Sequence, residues 1–325
     1  MDLIGTLLWP IKWAIELILV FFHWALTNIG NMDPAAGLTW VLSIVGLVLV
    51  VRAALIPIFV KQIQSQRKML EVAPHLKKIQ DKYKGKKDQA SREAMSRETM
   101  AMYKRTGTNP LSSCLPLLLQ MPIFFGLFQV LNNAQHGIAG VGPLSAELGA
   151  QFGSAKLFGI APLSSSFSSA MNAEPQQVAV MWVAAIMVVL MTSSQFITQL
   201  QIISKNMSAE AKASPTFKQQ RIMLYLLPLV FIFSGFAFPL GVMFYWLTSN
   251  FWTMGQQFIV IRNMPTPGSE AAKAREERLA RKGKLPKEAK SLDPDTIVIE
   301  EEPAKPTQRQ QPISKNRAKK KPGGK

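Results

Sequence analysis

No charged residue occurs between Arg221 and Arg262. Read as one helix, 222–261 would be about 60 Å long, twice the hydrocarbon thickness of a bilayer. The stretch must therefore fold back on itself. "FAFPLG" (236–241) is the natural turn: proline ends the first helix and glycine relieves the bend. This predicts two membrane spans, 222–237 and 240–261. The first is short enough that local thinning of the bilayer would accommodate it.

Three further spans are predicted at 38–60, 111–133 and 177–200. Pro116 and Pro122 fall inside the second. They are tolerated in a membrane helix when neighbours re-satisfy the freed carbonyls. The predicted fold is an all-α polytopic membrane protein with a core of five transmembrane helices. Composition agrees. The chain is 48% hydrophobic yet carries a formal charge of +17. A soluble protein rarely combines positive mean hydropathy with a pI near 10.0.

Of 37 lysines and arginines, all but Lys12, Arg52 and Lys156 fall within 61–110, 201–221 and 262–325. The positive-inside rule makes these three segments cytoplasmic and 134–175 extracytoplasmic, N-out and C-in. Residues 61–110 read as a basic helical hairpin turning at "KGKKD" (84–88). Its first arm is interrupted at Pro74. Ile63, Leu70, Leu76, Ile79, Met95, Met102 and Tyr103 are placed to zip its arms. Residues 134–175 form a loop whose apolar piece "KLFGIAPL" (156–163) suits a membrane surface, and 201–221 is a short basic loop. Residues 262–325 bury too little to fold alone, so a disordered basic tail is predicted, suited to lipid headgroups or RNA phosphates. Residues 1–37 hold an amphipathic helix with Lys12, Glu16, His23 and Thr27 on one face. It is read as lying in the membrane interface, with a signal-anchor span as the alternative.

Arg52 is the only charge in the apolar run 39–60. A charge at the centre of a span costs roughly 2.5–3.5 kcal/mol on insertion scales. Measured down its helix it sits ~20 Å from the outer end, past the midplane. Other polar groups cluster at similar depth. Gln120 lies near the middle of the second span, with Ser112, Ser113 and Cys114 at its inner end. Thr192, Gln195 and Gln199 share one face of the third span, beside Ser193, Ser194 and Thr198. Ser249, Asn250, Thr253 and Gln256 lie in the inner half of the fifth, with Thr248 and Gln257. The outer halves are almost purely apolar, Ser43 and Ser234 excepted. Polar side chains in lipid need partners or water. The pattern predicts one cavity, open to the cytoplasm and closed outside, lined by these residues. The plainer readings are that Arg52 snorkels to headgroups and that the glutamines are interhelical hydrogen-bond glue. Ordinary apolar packing is the plainer reading of Met121, Met187, Met191 and Met243.

One cysteine and three dispersed histidines exclude an intrachain disulfide and a Cys- or His-rich metal cluster. The spans hold no Asp or Glu for a proton relay. No nucleophile–base pair, P-loop or glycine fingerprint is present. The chain is not expected to be an enzyme, and no cofactor is implied.

Three blocks carry a resemblance: "LVLVVRAALIPIFVKQIQSQRKMLEVAPHLKKIQDKYKGKKDQ", "ETMAMYKRTGTNPLSSCLPLLLQMPIFFGLFQVL" and "FPLGVMFYWLTSNFWTMGQQFIV". In this order, with a basic hairpin between the first two, the chain resembles the YidC-type membrane protein insertases of the YidC/oxidase-assembly translocase family. It is similar to their compact Gram-positive form, which lacks a large extracytoplasmic domain. The resemblance covers roughly 38–133 and 176–262. It implies a bacterial cell-membrane protein with a hydrophilic groove open to cytoplasm and lipid, in which Arg52 is the groove charge. It implies an apolar slide for substrate helices around Leu119, Met121, Pro122 and Phe125, and an aromatic pair, Tyr245 and Trp246, that contacts substrate. Where some relatives place a substrate-facing threonine, this chain has Val48. The implied function is an insertase and chaperone for nascent membrane proteins, releasing them into the lipid bilayer alone or with the Sec translocon. The hairpin would receive substrate and the tail would engage the ribosome. No small-molecule substrate is implied. The alternatives are a small-solute transporter or channel component, for which inverted repeats are expected and none is seen, and a membrane tether for ribosomes.

Overall fold

The computed structural model describes residues 3–86, 88–108, 115–212 and 235–284, with isolated positions 222, 226, 230, 232 and 233. Ser112, Ser113, Cys114, Ser234, half of 222–237 and the tail beyond 284 lie outside the described residues.

The described chain is helical almost throughout. Its helices are α1 (Leu3–Leu7), α2 (Trp9–Asn28), α3 (Gly37–Ala54), α4 (Ile56–Lys82), α5 (Gln89–Thr106), α6 (Leu115–Gln135), α7 (Ala146–Ser154), α8 (Phe167–Met171), α9 (Val178–Asn206), α10 (Ala209–Lys212), α11 (Leu240–Asn263) and α12 (Glu270–Arg281). By length and composition, α2, α3 and α9 each suffice to cross a membrane. The bundle is built by α9 along α11, α11 along α3, α3 along α2, and α2 along α6.

Proline sets two of the key boundaries. Pro57 has no N–H and its ring excludes the carbonyl four residues back, so α3 stops at Ala54. The apolar residues 56–60 belong to α4, the first arm of the hairpin, which runs on through Pro74 to Lys82. Pro239 caps α11, and its following amides are taken up by the segment between α7 and α8. Leu240 N–H donates to the Ser165 carbonyl and Gly241 N–H to that of Leu163, both at 3.0 Å. The hairpin closes over Val72, Ile79 and Met102, with Leu76, Tyr83 and Met95 packed against them. Asp88 caps α5 by accepting from Ser91 N–H at 2.9 Å. That bond holds the Asp88 carboxyl below the usual range.

The core of the bundle is driest at the end where α3 and α11 begin. Trp40 is fully buried, stacked on His23 at 4.1 Å and edge-on to Phe152 at 5.3 Å. Leu163, Leu240 and Met243 close the same layer. Along α9, Val180, Ala184, Met187, Met191, Ser194 and Thr198 are buried at alternating steps of four and three. That spacing lays one stripe along a helix partner.

The polar stripe of α2 faces inward. Lys12, Glu16 and His23 are buried, whereas Trp9, Trp13, Leu17, Phe21 and Trp24 are exposed. Both Glu16 oxygens accept from the loop after α6: Oε1 from Val141 N–H at 2.9 Å and Oε2 from Gly142 N–H at 2.7 Å. His23 Nε2 meets the Pro34 carbonyl at 3.0 Å. An interfacial helix that stood alone would turn these groups to water. Here protein amides and carbonyls satisfy them, leaving an aromatic face outward.

The same segment also contains β1 (Lys156–Leu157) and β2 (Ala161–Pro162), an antiparallel pair that purely helical reasoning does not supply. Gly37 packs directly on this hairpin. A Cβ there would overlap backbone atoms of Lys156 and Leu157. Gly37→Ala should therefore cost about 1–3 kcal/mol, the usual penalty of overpacking where neither side can rotate away. Thermal unfolding and hydrogen exchange at Lys156–Leu157 read this; unchanged values for both would show that the contact does not constrain the fold.

Candidate functional site

Four predicted residues lie close together next to the dry layer. Arg52 lies in the last turn of α3, where the helix dipole favours a cation. It is half-buried, and its Cζ stands 5.7 Å from the Phe59 ring centroid of α4. Among the described residues it makes no ion pair. The Tyr245 phenol of α11 is within its electrostatic reach. Gln120 of α6 donates from Nε2 to the Tyr245 hydroxyl at 2.7 Å. Ser249, one turn along α11, lies beside the same phenol and is buried. Thus one hydrogen bond ties α6 to α11, with Arg52 of α3 and the Ser249 hydroxyl close to the same phenol. Such a cluster can attract an anionic or strongly polar segment without committing a fixed counter-charge to it.

Tyr245, which the resemblance implies as half of a substrate-contacting aromatic pair, sits in the polar cluster. It is buried, at 3% exposure. Its neighbour Trp246 stacks on Phe124 at 5.1 Å with the rings 3° from parallel. Phe128 and Phe238 complete this aromatic group. Its signal in the sequence is the i, i+4 pair Phe124–Phe128 and the aromatic just before Pro239. On the outer side of α6, Leu118, Met121 and Phe125 are exposed in one stripe at i, i+3 and i+7. Leu119 and Pro122 are half-buried beside it. Leu118 is the most exposed of the five, at 59%. Only the helical spacing from Met121 could have singled it out.

The polar residues of α9 turn elsewhere. Thr192, Gln195 and Gln199 lie on the same flank as Val188. A side chain at Gly235 would overlap Val188, so at Val188 this flank faces Gly235. Thr192 Oγ1 is buried with no hydrogen bond among the described residues. Along α11, Asn250 Nδ2 approaches the Met191 carbonyl at 3.4 Å and ties α11 to α9. Thr253 donates to the Ser249 carbonyl at 2.8 Å. Gln256 accepts from Trp252 Nε1 at 2.9 Å. These three act as hydrogen-bond glue within and between helices. Val48 is buried in the core. No cluster of three metal-ligating side chains occurs among the described residues.

Residues 31–267 match the family model described as "60Kd inner membrane protein". The chain is 46% identical over 322 residues to a membrane protein insertase YidC of Tropheryma whipplei, covering 98% of this chain and 97% of that one. It is 44% identical over 283 residues to the Streptomyces avermitilis protein of the same name, covering 86% of this chain and 64% of that one. The Bifidobacterium longum protein of that name is 38% identical over 329 residues, 96% of this chain and 95% of its own. With its bundle, its Arg52 cluster and these matches together, the chain belongs to the 60Kd inner membrane protein family, the YidC/oxidase-assembly group of membrane proteins.

Proposed function

We propose that this protein is a membrane protein insertase and chaperone. It takes nascent hydrophobic proteins at the inner end of a polar groove and releases them into lipid. The observation that carries the reading is the Arg52–Tyr245–Gln120–Ser249 cluster. It stands below a dry outer layer and beside the exposed apolar stripe of α6. In this reading the basic segments are cytoplasmic, the chain crosses the membrane five times, and the ends lie N-out and C-in. The α4–α5 hairpin receives substrate. The tail engages the ribosome, and the protein works alone or beside the Sec translocon.

The substrate's short hydrophilic tail enters from the cytoplasm, and Arg52 attracts its acidic residues. The hydrated inner half shortens the low-dielectric distance this tail must cross. The apolar stretch of substrate slides past Leu118, Met121 and Phe125 into lipid. Burying a 20-residue apolar helix supplies far more free energy than the tail consumes. A membrane potential adds ~2.3 kcal/mol per charge per 100 mV for acidic tails moving outward. In this reading no nucleotide is needed.

Reconstitution in liposomes with one nascent single-span substrate tests the reading. Insertion, seen as a protease-protected fragment, should rise several-fold over empty liposomes. Insertion no better than in empty liposomes would overturn it. A chain with 262–325 deleted should retain part of the activity, whereas a pure ribosome tether would lose all of it.

A further inference from the structure

A second site lies at the far ends of α9 and α11, away from the Arg52 cluster. A pocket of about 400 Å³ opens there beneath α12. Phe258 and Ile261 give it an apolar floor, and Lys205, Arg262 and Arg278 line it with a single carboxylate, Glu270. The helix α12 is held in place by three bonds. Lys205 Nζ donates to Glu270 Oε1 at 2.6 Å, Thr266 N–H to Asn206 Oδ1 at 2.8 Å, and Arg278 Nη2 to the Arg262 carbonyl at 2.5 Å. The Lys205 bond holds the Glu270 carboxyl below its usual range. Glu270 therefore stays ionised at neutral pH, spent on Lys205. The lining then keeps an excess of positive charge in Arg262 and Arg278, neither of which has an ion pair among the described residues.

Depth selects the ligand. Lys205 ends the long apolar helix α9, and Arg262 is the first charge after 222–261. The pocket thus sits where acyl chains give way to headgroups. Phe258 and Ile259 are exposed beside it, at 54% and 59%, offering apolar surface to anything with tails. The volume falls in the range of small-ligand sites. Basic pockets between membrane helices suit anionic headgroups.

We propose that this pocket binds the phosphodiester headgroup of an acidic phospholipid, with Arg262 and Arg278 on the phosphate and the acyl chains along Phe258 and Ile259. The bound lipid bridges α11 and α12 and fastens the start of the tail to the membrane surface. The site stands independently of the insertase reading.

The test uses the full chain in detergent, titrated with phosphatidylglycerol or phosphatidylcholine and read by native mass spectrometry. The wild type should retain phosphatidylglycerol in preference to phosphatidylcholine. R262Q/R278Q should weaken that retention at least ten-fold, while R262K/R278K keeps most of it. Inorganic phosphate at millimolar concentration should not displace the lipid. Equal retention by wild type and R262Q/R278Q overturns the proposal, as does equal loss in both double variants. Displacement by inorganic phosphate would make this a free-anion site. Displacement by a short RNA would assign it to nucleic acid. Either result also overturns the lipid assignment.

Discussion

Arg52→Ala is expected to lower insertion of a single-span substrate with an acidic N-terminal tail by about ten-fold. The size follows from electrostatics. Two unit charges 4 Å apart attract by about 4 kcal/mol at an effective dielectric constant of 20. A hydrated groove retains a fraction of that, and 1.4 kcal/mol is already a factor of ten. The guanidinium has no ion pair among the described residues, so its charge is available to substrate. The α3 dipole and the Phe59 ring steady it without neutralising it. Its loss should disturb the fold little.

Substrate charge separates this role from a structural one. A substrate with a neutral tail should insert at nearly the wild-type rate in the Arg52→Ala protein. Arg52→Lys should restore part of the acidic-tail activity, because charge is kept while the planar donor fork is lost. Wild-type insertion of acidic-tailed substrates by Arg52→Ala would rule out the electrostatic receiver. Equal losses for neutral and acidic tails would assign Arg52 to bundle packing instead. Tyr245→Phe offers a gentler probe of the same cluster. It removes the hydroxyl that Gln120 reaches at 2.7 Å. It should reduce insertion less than Arg52→Ala, because no charge is lost.

Depth along the chain was legible in the sequence; direction around each helix was not. Counting from the polar boundaries put Arg52, Gln120 and Ser249 at compatible levels; the structure bonds Gln120 to Tyr245 and holds the other two near the same phenol. The same count grouped Thr192, Gln195 and Gln199 with them. Their azimuth is set by the packing of α9 on α11, which buries Met187, Met191, Ser194 and Thr198 and leaves these three on the flank of Val188. Proline chemistry was visible at Pro57, yet the continuous apolar run hid its effect. Hydropathy continues to residue 60, while α3 ends at Ala54. The β1–β2 hairpin escaped because two-residue strands leave no periodic signal. For α2, spacing revealed the polar stripe. It could not reveal that amides more than a hundred residues away would receive Glu16.

That long-range contact carries the second large effect. Glu16→Ala is expected to destabilise the protein by about 3 kcal/mol or more. The carboxylate is 1% exposed and accepts two backbone N–H groups, one on each oxygen. Removing it orphans both amides, and each buried unsatisfied donor costs about 1–3 kcal/mol. A Cβ at Gly140 would already overlap the carboxylate, so the cradle is filled by the side chain it holds. Glu16→Gln should recover only part of the loss. Its carbonyl accepts from one amide, but its NH₂ then faces the other donor. Buried Lys12, one turn earlier on the same face, offers a control. If charge pairing dominated, Lys12→Leu/Glu16→Leu would regain most of the stability, as paired buried ions often can be replaced by apolar groups. The two orphaned amides predict instead that the double variant stays nearly as unstable as Glu16→Ala. Thermal unfolding in detergent, with hydrogen exchange at Val141 and Gly142, decides between them. Wild-type stability in Glu16→Ala would mean that α2 is held by its apolar contacts with α3 and α6 alone. Its inward polar face would then be tolerated by the fold instead of fastening it.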